Sequence, residues 1–205
     1  VKLLSAEQVM EQYISLIGGR DIAGRISNLD KRIELADGVV RDKLNIEKSL
    51  LLSFKSELSK SQSKASSLCS STSSVEAKTA CNKNNSLFEN LKKSSLLPTI
   101  PIIETIQISD NMAVFDAKYE MLSDKNKTSY DNIYFLRKKD ESWKIYDANG
   151  IDGQLSQVFN DETLKKENEV SLMKFRAMLS FAQSVFSAEI SEIEKNGDIG
   201  KKVIA

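Results

Sequence analysis

Between Leu97 and Asp147 the chain alternates apolar and polar residues in four short runs, the period of strands that bury one face. Ile102, Ile106 and Ile108 carry the first run, and Ser109-Asp110-Asn111 turns the chain. Ala113, Phe115, Ala117, Tyr119 and Met121 form one apolar face of the second run. Ser123 to Thr128 is a polar connection, Tyr130 to Arg137 a third strand, Lys138 to Ser142 a turn, and Trp143 to Asp147 a fourth strand. Connections this short require antiparallel neighbours, because a parallel return needs a crossover of about a dozen residues. Pro98 and Pro101 stand at the entry to the sheet, where a residue without an N–H is tolerated.

On both sides of this block the period changes to that of helix. Val9, Met10, Tyr13, Leu16 and Ile17 recur at intervals of three and four, with Ser5 placed to cap and Gly18-Gly19 to stop. A short helix is predicted from Asp21 to Leu29, and a long one from Ile33 to Leu58, broken near Gly38 or Asn45. Residues 59 to 74 hold nine serines in sixteen positions, which admits two readings. One is a flexible linker, since such a segment has little apolar surface to offset ordering entropy. The other is a helical hairpin pinned by Cys69 and Cys81, with Val75 to Leu96 as its returning arm and Leu87, Phe88 and Leu91 as the buried stripe. After Gly150 and Gly153, apolar positions from Leu164 to Ile193 predict a long helix ending near Gly197. It either covers the sheet and earlier helices or pairs with a partner or second copy. Phe175, Phe181 and Phe186 do not share one face, which leaves apolar surface for a second contact.

These patterns predict an α+β fold with N-terminal helices, a four-stranded antiparallel curved sheet and a long C-terminal helix. The expected division is a domain over 1–160, with the Ser-rich insertion at about 59–96, and a helical extension over 161–205. A chain of 205 residues is long enough to bury a core without metals.

Charge and composition remove several function classes. Lys plus Arg number 29 and Asp plus Glu number 29, so no overall field attracts nucleic acid. The chain has no histidine, which excludes serine-histidine and cysteine-histidine catalysis and zinc sites that need imidazole. No cofactor or metal site is expected. No apolar run approaches the roughly 20 residues needed to span a bilayer. The first residue is Val1, which suggests removal of an upstream segment such as a secretory signal, and hence a periplasmic or secreted protein. In that setting Cys69 and Cys81 form a disulfide; the alternative is two separate thiols in a cytoplasmic protein.

Ala113 to Tyr119, followed by Ile133 to Asp147 with its charged turn and Trp143-Lys144-Ile145, resembles the last strands of the nuclear transport factor 2-like superfamily. That resemblance covers about a quarter of the chain and implies a curved sheet wrapping helices into a cone. The long helical region before the sheet and the helix after it depart from the family pattern. A second resemblance is to periplasmic phospholipid-shuttle proteins of the toluene-tolerance type, which also place Trp-Lys-Ile-Tyr-Asp before a Gly-containing turn and helix, as Trp143 to Asp147, Gly153 and Leu155 do here. It implies lipid tails between sheet and helices.

The cone resemblance also implies where ligands and chemistry would sit. Ligand-cavity candidates are Phe115, Tyr119, Ile133, Phe135 and Trp143. Catalytic relatives pair a buried carboxylate with a tyrosine, for which Asp116, Asp131 or Asp147 with Tyr119, Tyr130, Tyr134 or Tyr146 are the candidates. Asp116 alternates with the apolar face of its strand, and Asp131 and Asp147 lie near strand ends, so no residue is assigned a catalytic role. Three functions are left in order: a non-enzymatic exported protein that binds a partner or itself through the C-terminal helix, a carrier of a small apolar or lipid ligand, and a small-molecule isomerase or hydrolase. The first expects a filled cavity and an exposed apolar stripe on the C-terminal helix.

Overall fold

The computed structural model describes the backbone of residues 2–149 and 161–204, and the side chains of 2–149 and 165–197. The fold is α+β. Helices α1 (Ala6–Ser15), α2 (Ile22–Leu35), α3 (Gly38–Ser70) and α4 (Val75–Lys92) precede strands β1 (Leu96–Pro98), β2 (Ile102–Ile108), β3 (Met112–Ser123), β4 (Lys127–Lys139) and β5 (Ser142–Ala148), and α5 (Asp161–Ile204) closes the chain. Two compact units result: residues 1–51 with 93–168, and residues 52–92 with 169–205. The Ser-rich segment, expected as an insertion in the first domain, therefore groups with the C-terminal helix.

In the first unit all strand pairs are antiparallel and the order is β1-β3-β4-β5, with β2 also on β3. The added strand is the three-residue β1. β1 takes the Met121–Ser123 end of β3 and β2 takes Ala113–Lys118, so two short strands share one edge of a long one. The prolines explain the interruption: Pro101 has no N–H to donate, and Thr99 fills the gap by donating its N–H to the Glu120 carbonyl (2.8 Å) and accepting the Glu120 N–H on Oγ1 (2.9 Å). β2 is paired on one side, and its Ile102, Ile106 and Ile108 are exposed.

Register decides which side chains meet. Phe115 lies opposite Tyr134 and Ala117 opposite Asn132 on the core face, whereas Asp116 lies opposite Ile133 and Val114 opposite Phe135 on the outer face. β4 and β5 join through Asp140 and Glu141, with φ of 49° and 63°, the left-handed pair of a two-residue hairpin turn.

α1 and α2 pack on this sheet because their apolar stripes match its core face. Ser5 makes a capping box with Gln8, and Asp21 caps α2 by accepting the Gly24 N–H at 2.6 Å. Val9, Met10, Tyr13 and Ile14 of α1 join Phe115, Leu136 and Ile145 in one core. Gly18 (φ +78°) and Gly19 then cross β1, exchanging hydrogen bonds with Leu96 through Gly19 (2.7 and 2.9 Å). A Cβ on Gly18 would stand 2.0 Å from the Leu96 carbonyl oxygen. The break expected near Gly38 falls at Ala36-Asp37, where the Asp37 N–H reaches the Ile145 carbonyl at 2.8 Å. Asp37 also accepts from Arg137 (2.7 and 3.1 Å) and Lys139 (3.4 Å). The Arg137 guanidinium, first among these causes, holds the Asp37 carboxyl down at about 2.

In the second unit most of the Ser-rich stretch is helix: α3, 33 residues in all, runs through it to Ser70, and residues 71–74 turn the chain into α4, so of the two readings the helical hairpin is the one observed. Cys69 and Cys81 stand at disulfide distance, sulfurs 2.02 Å apart, and join α3 to α4. Leu58, Ala65, Ala77, Phe88, Leu179, Phe186 and Ile190 are buried. Leu87 and Leu91 are exposed, so the expected stripe of α4 reduces to Phe88 and Ala77. α5 does not stop at Gly197 but continues to Ile204. Its Phe175 ring meets Phe54 edge-on at 4.7 Å, Arg176 pairs with Glu57 at 3.0 Å, and Glu194 accepts the Ser73 and Ser74 N–H groups at the start of α4. Partial desolvation opposes the charged form of Glu194, yet the Ser74 and Ser73 donors outweigh it and hold the carboxyl below its usual range.

Candidate functional site

The five cavity candidates do not share a cavity. Phe115 is fully buried and Trp143 nearly so, both as parts of the closed core. Tyr119 is on the same face, with its hydroxyl 3.3 Å from that of Tyr134. Ile133 and Phe135 point the other way, a correction forced by strand parity: odd positions of β3 oppose even positions of β4. Tyr119 also borders an open recess of about 460 Å³ beside Ile100, Ile102 and Tyr130.

The acid and tyrosine candidates separate in the same way. Asp116 and Asp131 are on the outer face, each about 4 Å from the Lys118 ammonium. The Asp131 carboxyl is the main cause of a raised Asp116 pKa, as expected of adjacent acids. Tyr119 and Tyr134 hydroxyls are engaged with each other and with Asn132 (3.3 and 3.4 Å), and burial pushes Tyr134 far above an ordinary phenol. Tyr130 stacks on Tyr119 at 5.4 Å, and Tyr146 lies under Arg137 on the outer face. Asp147 alone of the three acids lies on the core face, 6 % exposed.

Asp147 borders a polar cavity that the sequence reading did not anticipate. This cavity, about 200 Å³, lies between α1, α2, the start of α3 and the end of β5, and its walls include Tyr13, Arg32, Lys43 and Glu47. Arg32 is 8 % exposed. Its guanidinium sits 4.5 Å above the Tyr13 ring, and one terminal nitrogen donates to the Tyr13 hydroxyl at 3.1 Å. The buried Arg32 Nε has no hydrogen-bond partner among the described residues. Burial lowers the Lys43 pKa, with Asp147 opposing it. Arg32 falls on the inward side of α2 with Leu29, and that misplaced charge in an apolar face was the available signal.

In the second unit the notable surface is on α5. Leu172, Phe175, Leu179, Phe186 and Ile190 turn inward, while Met178, Phe181 and Val185 form a separate exposed stripe; Phe181 is 73 % exposed. Lys174 and Glu192 flank that stripe on the same side of the helix, also exposed. No group of three or more potential metal ligands occurs among the described residues, and none of their helices is long and apolar enough to cross a membrane. Comparison with known protein families, characterised proteins and solved structures finds no match to this chain.

Proposed function

We propose that this chain is a non-enzymatic interaction protein of an oxidising, exported compartment, and that the occupant of the outer stripe of α5 is a second copy of the same helix. The observation that carries the reading is the exposure of Met178, Phe181 and Val185 in one row on a helix whose other apolar row is already buried. The row is self-complementary. Two α5 helices laid antiparallel about the level of Gln183 set Lys174 against Glu192, Met178 against Ala188 and Phe181 against Val185, each contact occurring twice by symmetry. The disulfide between Cys69 and Cys81 supports the exported setting. The closed core around Phe115 favours this reading over a carrier of apolar ligands. Kinship with the nuclear transport factor 2-like proteins is part of the same reading, on the strength of the meander packed by α1 and α2.

Sedimentation of the oxidised chain tests it. The expected result is a dimer whose dissociation constant rises at least tenfold in Phe181→Glu, an exposed position whose change leaves folding intact. Lys174→Glu should weaken the dimer, and Lys174→Glu with Glu192→Lys should restore it. A wild type that stays monomeric at several hundred micromolar, or a dimer indifferent to Phe181→Glu, sinks the proposal.

A further inference from the structure

The chain contains two Asn-x-Ser/Thr sequences, the acceptor pattern for transfer of a glycan to an asparagine amide: Asn84-Asn85-Ser86 and Asn126-Lys127-Thr128. The fold treats them differently. The first lies inside α4, where the Ser86 hydroxyl donates to the Asn82 carbonyl at 3.0 Å. Residues two apart in a helix point to nearly opposite sides. Asn84 and Ser86 can be read together only if α4 unwinds between the disulfide at Cys81 and the buried Phe88. The second lies at the tip of the β3–β4 hairpin, and none of residues 122–128 is buried. Asn126 is held through its backbone, by the Ser123 N–H (2.9 Å) and the Ser123 hydroxyl (3.1 and 3.3 Å). Its side-chain amide and the Thr128 hydroxyl have no hydrogen-bond partner among the described residues. Drawn straight, this segment puts alternate residues on one side, so Asp124, Asn126 and Thr128 line a single face. Asp124 is exposed and accepts only a long bond from the Ser95 hydroxyl, 3.4 Å, among the described residues. A hairpin tip with no buried side chain opens at little cost, whereas the helical site does not.

We propose that Asn126 is a glycosylation site, modified by an oligosaccharyltransferase that reads Asp124 and Thr128 from the same side of the extended acceptor. In the transfer, Asn126 Nδ2 forms a bond to the anomeric carbon of the first sugar. The bond from that carbon to the diphosphate of a polyprenyl carrier breaks, and the diphosphate leaves with the electron pair. One amide proton passes to a base of the transferase, and nothing is oxidised or reduced. The Thr128 hydroxyl is the polar handle on one side of the reacting amide, and the Asp124 carboxylate is the handle for a cation on the other. The inference rests on the exported setting proposed above, where such transfer takes place. It is independent of the α5 dimer, because Asn126 belongs to the first unit and the α5 stripe to the second.

Intact and peptide mass spectrometry of the full chain, recovered from its own cells, tests it. The expected result is a glycan mass on the peptide carrying Asn126 in most molecules and none on the peptide carrying Asn84. Asn126→Gln should remove the glycan, Thr128→Val and Asp124→Asn should each lower its occupancy at least tenfold, and Thr128→Ser should retain it. All these positions are exposed, and unchanged Trp143 fluorescence reports an intact first unit. Bare Asn126 in protein whose Cys69 and Cys81 are bonded overturns this proposal alone. Bare Asn126 together with free thiols overturns it along with the exported setting. A glycan on Asn84 in place of Asn126, or occupancy that survives either Thr128→Val or Asp124→Asn, also overturns it.

Discussion

The two units of this protein solve the same problem by different means. The first buries a broad face made from distant parts of the chain, with α1, α2, the start of α3 and strands β3, β4 and β5 contributing buried residues to one core, and its polar tie at Asp37 joins residues a hundred positions apart. The second buries a narrow helical row and adds a covalent link, an ion pair and a carboxylate cap: Cys69–Cys81, Glu57–Arg176 and Glu194 on α4. Where apolar area is scarce, chain constraint takes its place. The difference teaches which perturbation each unit should feel.

The largest effect should come from Phe115→Ala, which removes a fully buried ring from the first core and should cost about 4 kcal/mol in urea unfolding. Amide exchange should rise across β3 and β4 while α4 keeps its protection; equal loss in both units would erase the contrast. Next, Cys69→Ser with Cys81→Ser opens a link between residues 12 apart and should destabilise the second unit by about 3 kcal/mol. Helix signal should fall with the tryptophan fluorescence of Trp143 unchanged, and a shift in that fluorescence would contradict the assignment.

Asp37→Asn should cost the first unit about 2 kcal/mol, less than for a fully buried pair because Arg137 is half exposed. Its pH dependence has a definite sign. The folded pKa of Asp37 is depressed to about 2 from an ordinary 3.8, so its contribution is complete above that ordinary value and is lost as pH falls toward 2. Wild type and Asp37→Asn should therefore converge in stability at low pH, and parallel curves would show that the pairing contributes nothing. The smallest effect has the opposite sign. Glu141→Gly relieves a left-handed φ of 63° in the β4–β5 turn and should add about 1 kcal/mol, read as a raised thermal midpoint.

How much of this was legible in the sequence follows the same division. The alternation of Ala113 to Met121 and the cap at Ser5 are local signals, and the sheet and α1 follow them closely. The Ser-rich stretch admitted two readings because low apolar content says little about a helix held by a disulfide and by neighbours from residues far along the chain; the hairpin pinned by Cys69 and Cys81 is the one found. Ile133 and Phe135 share the apolar type of Phe115 but not its face, because type alone does not reveal cross-strand parity; register does. Of the cavity around Arg32 only the inward charge on α2 is legible; that Tyr13, Lys43 and Asp147 join it is decided by tertiary packing. The outward face of Phe181, in contrast, could be read from helical spacing, and the structure places it so.

Gly18 and Gly19 have an evolutionary consequence. A Cβ at Gly18 would overlap the Leu96 carbonyl, and one at Gly19 would come within 2.6 Å of the Arg25 amide nitrogen. Neither obstacle is a side chain that can swing aside; both are backbone, one in the Gly19–Leu96 bridge and the other bonded to the Asp21 carbonyl at the start of α2. A descendant or cousin of this chain can exchange most of its surface and still fold, but it must keep adjacent glycines between its first two helices. That pair, set ahead of the sheet and its Trp-Lys-Ile-Tyr-Asp strand, is the fingerprint by which distant kin would be recognised after ordinary sequence similarity has faded.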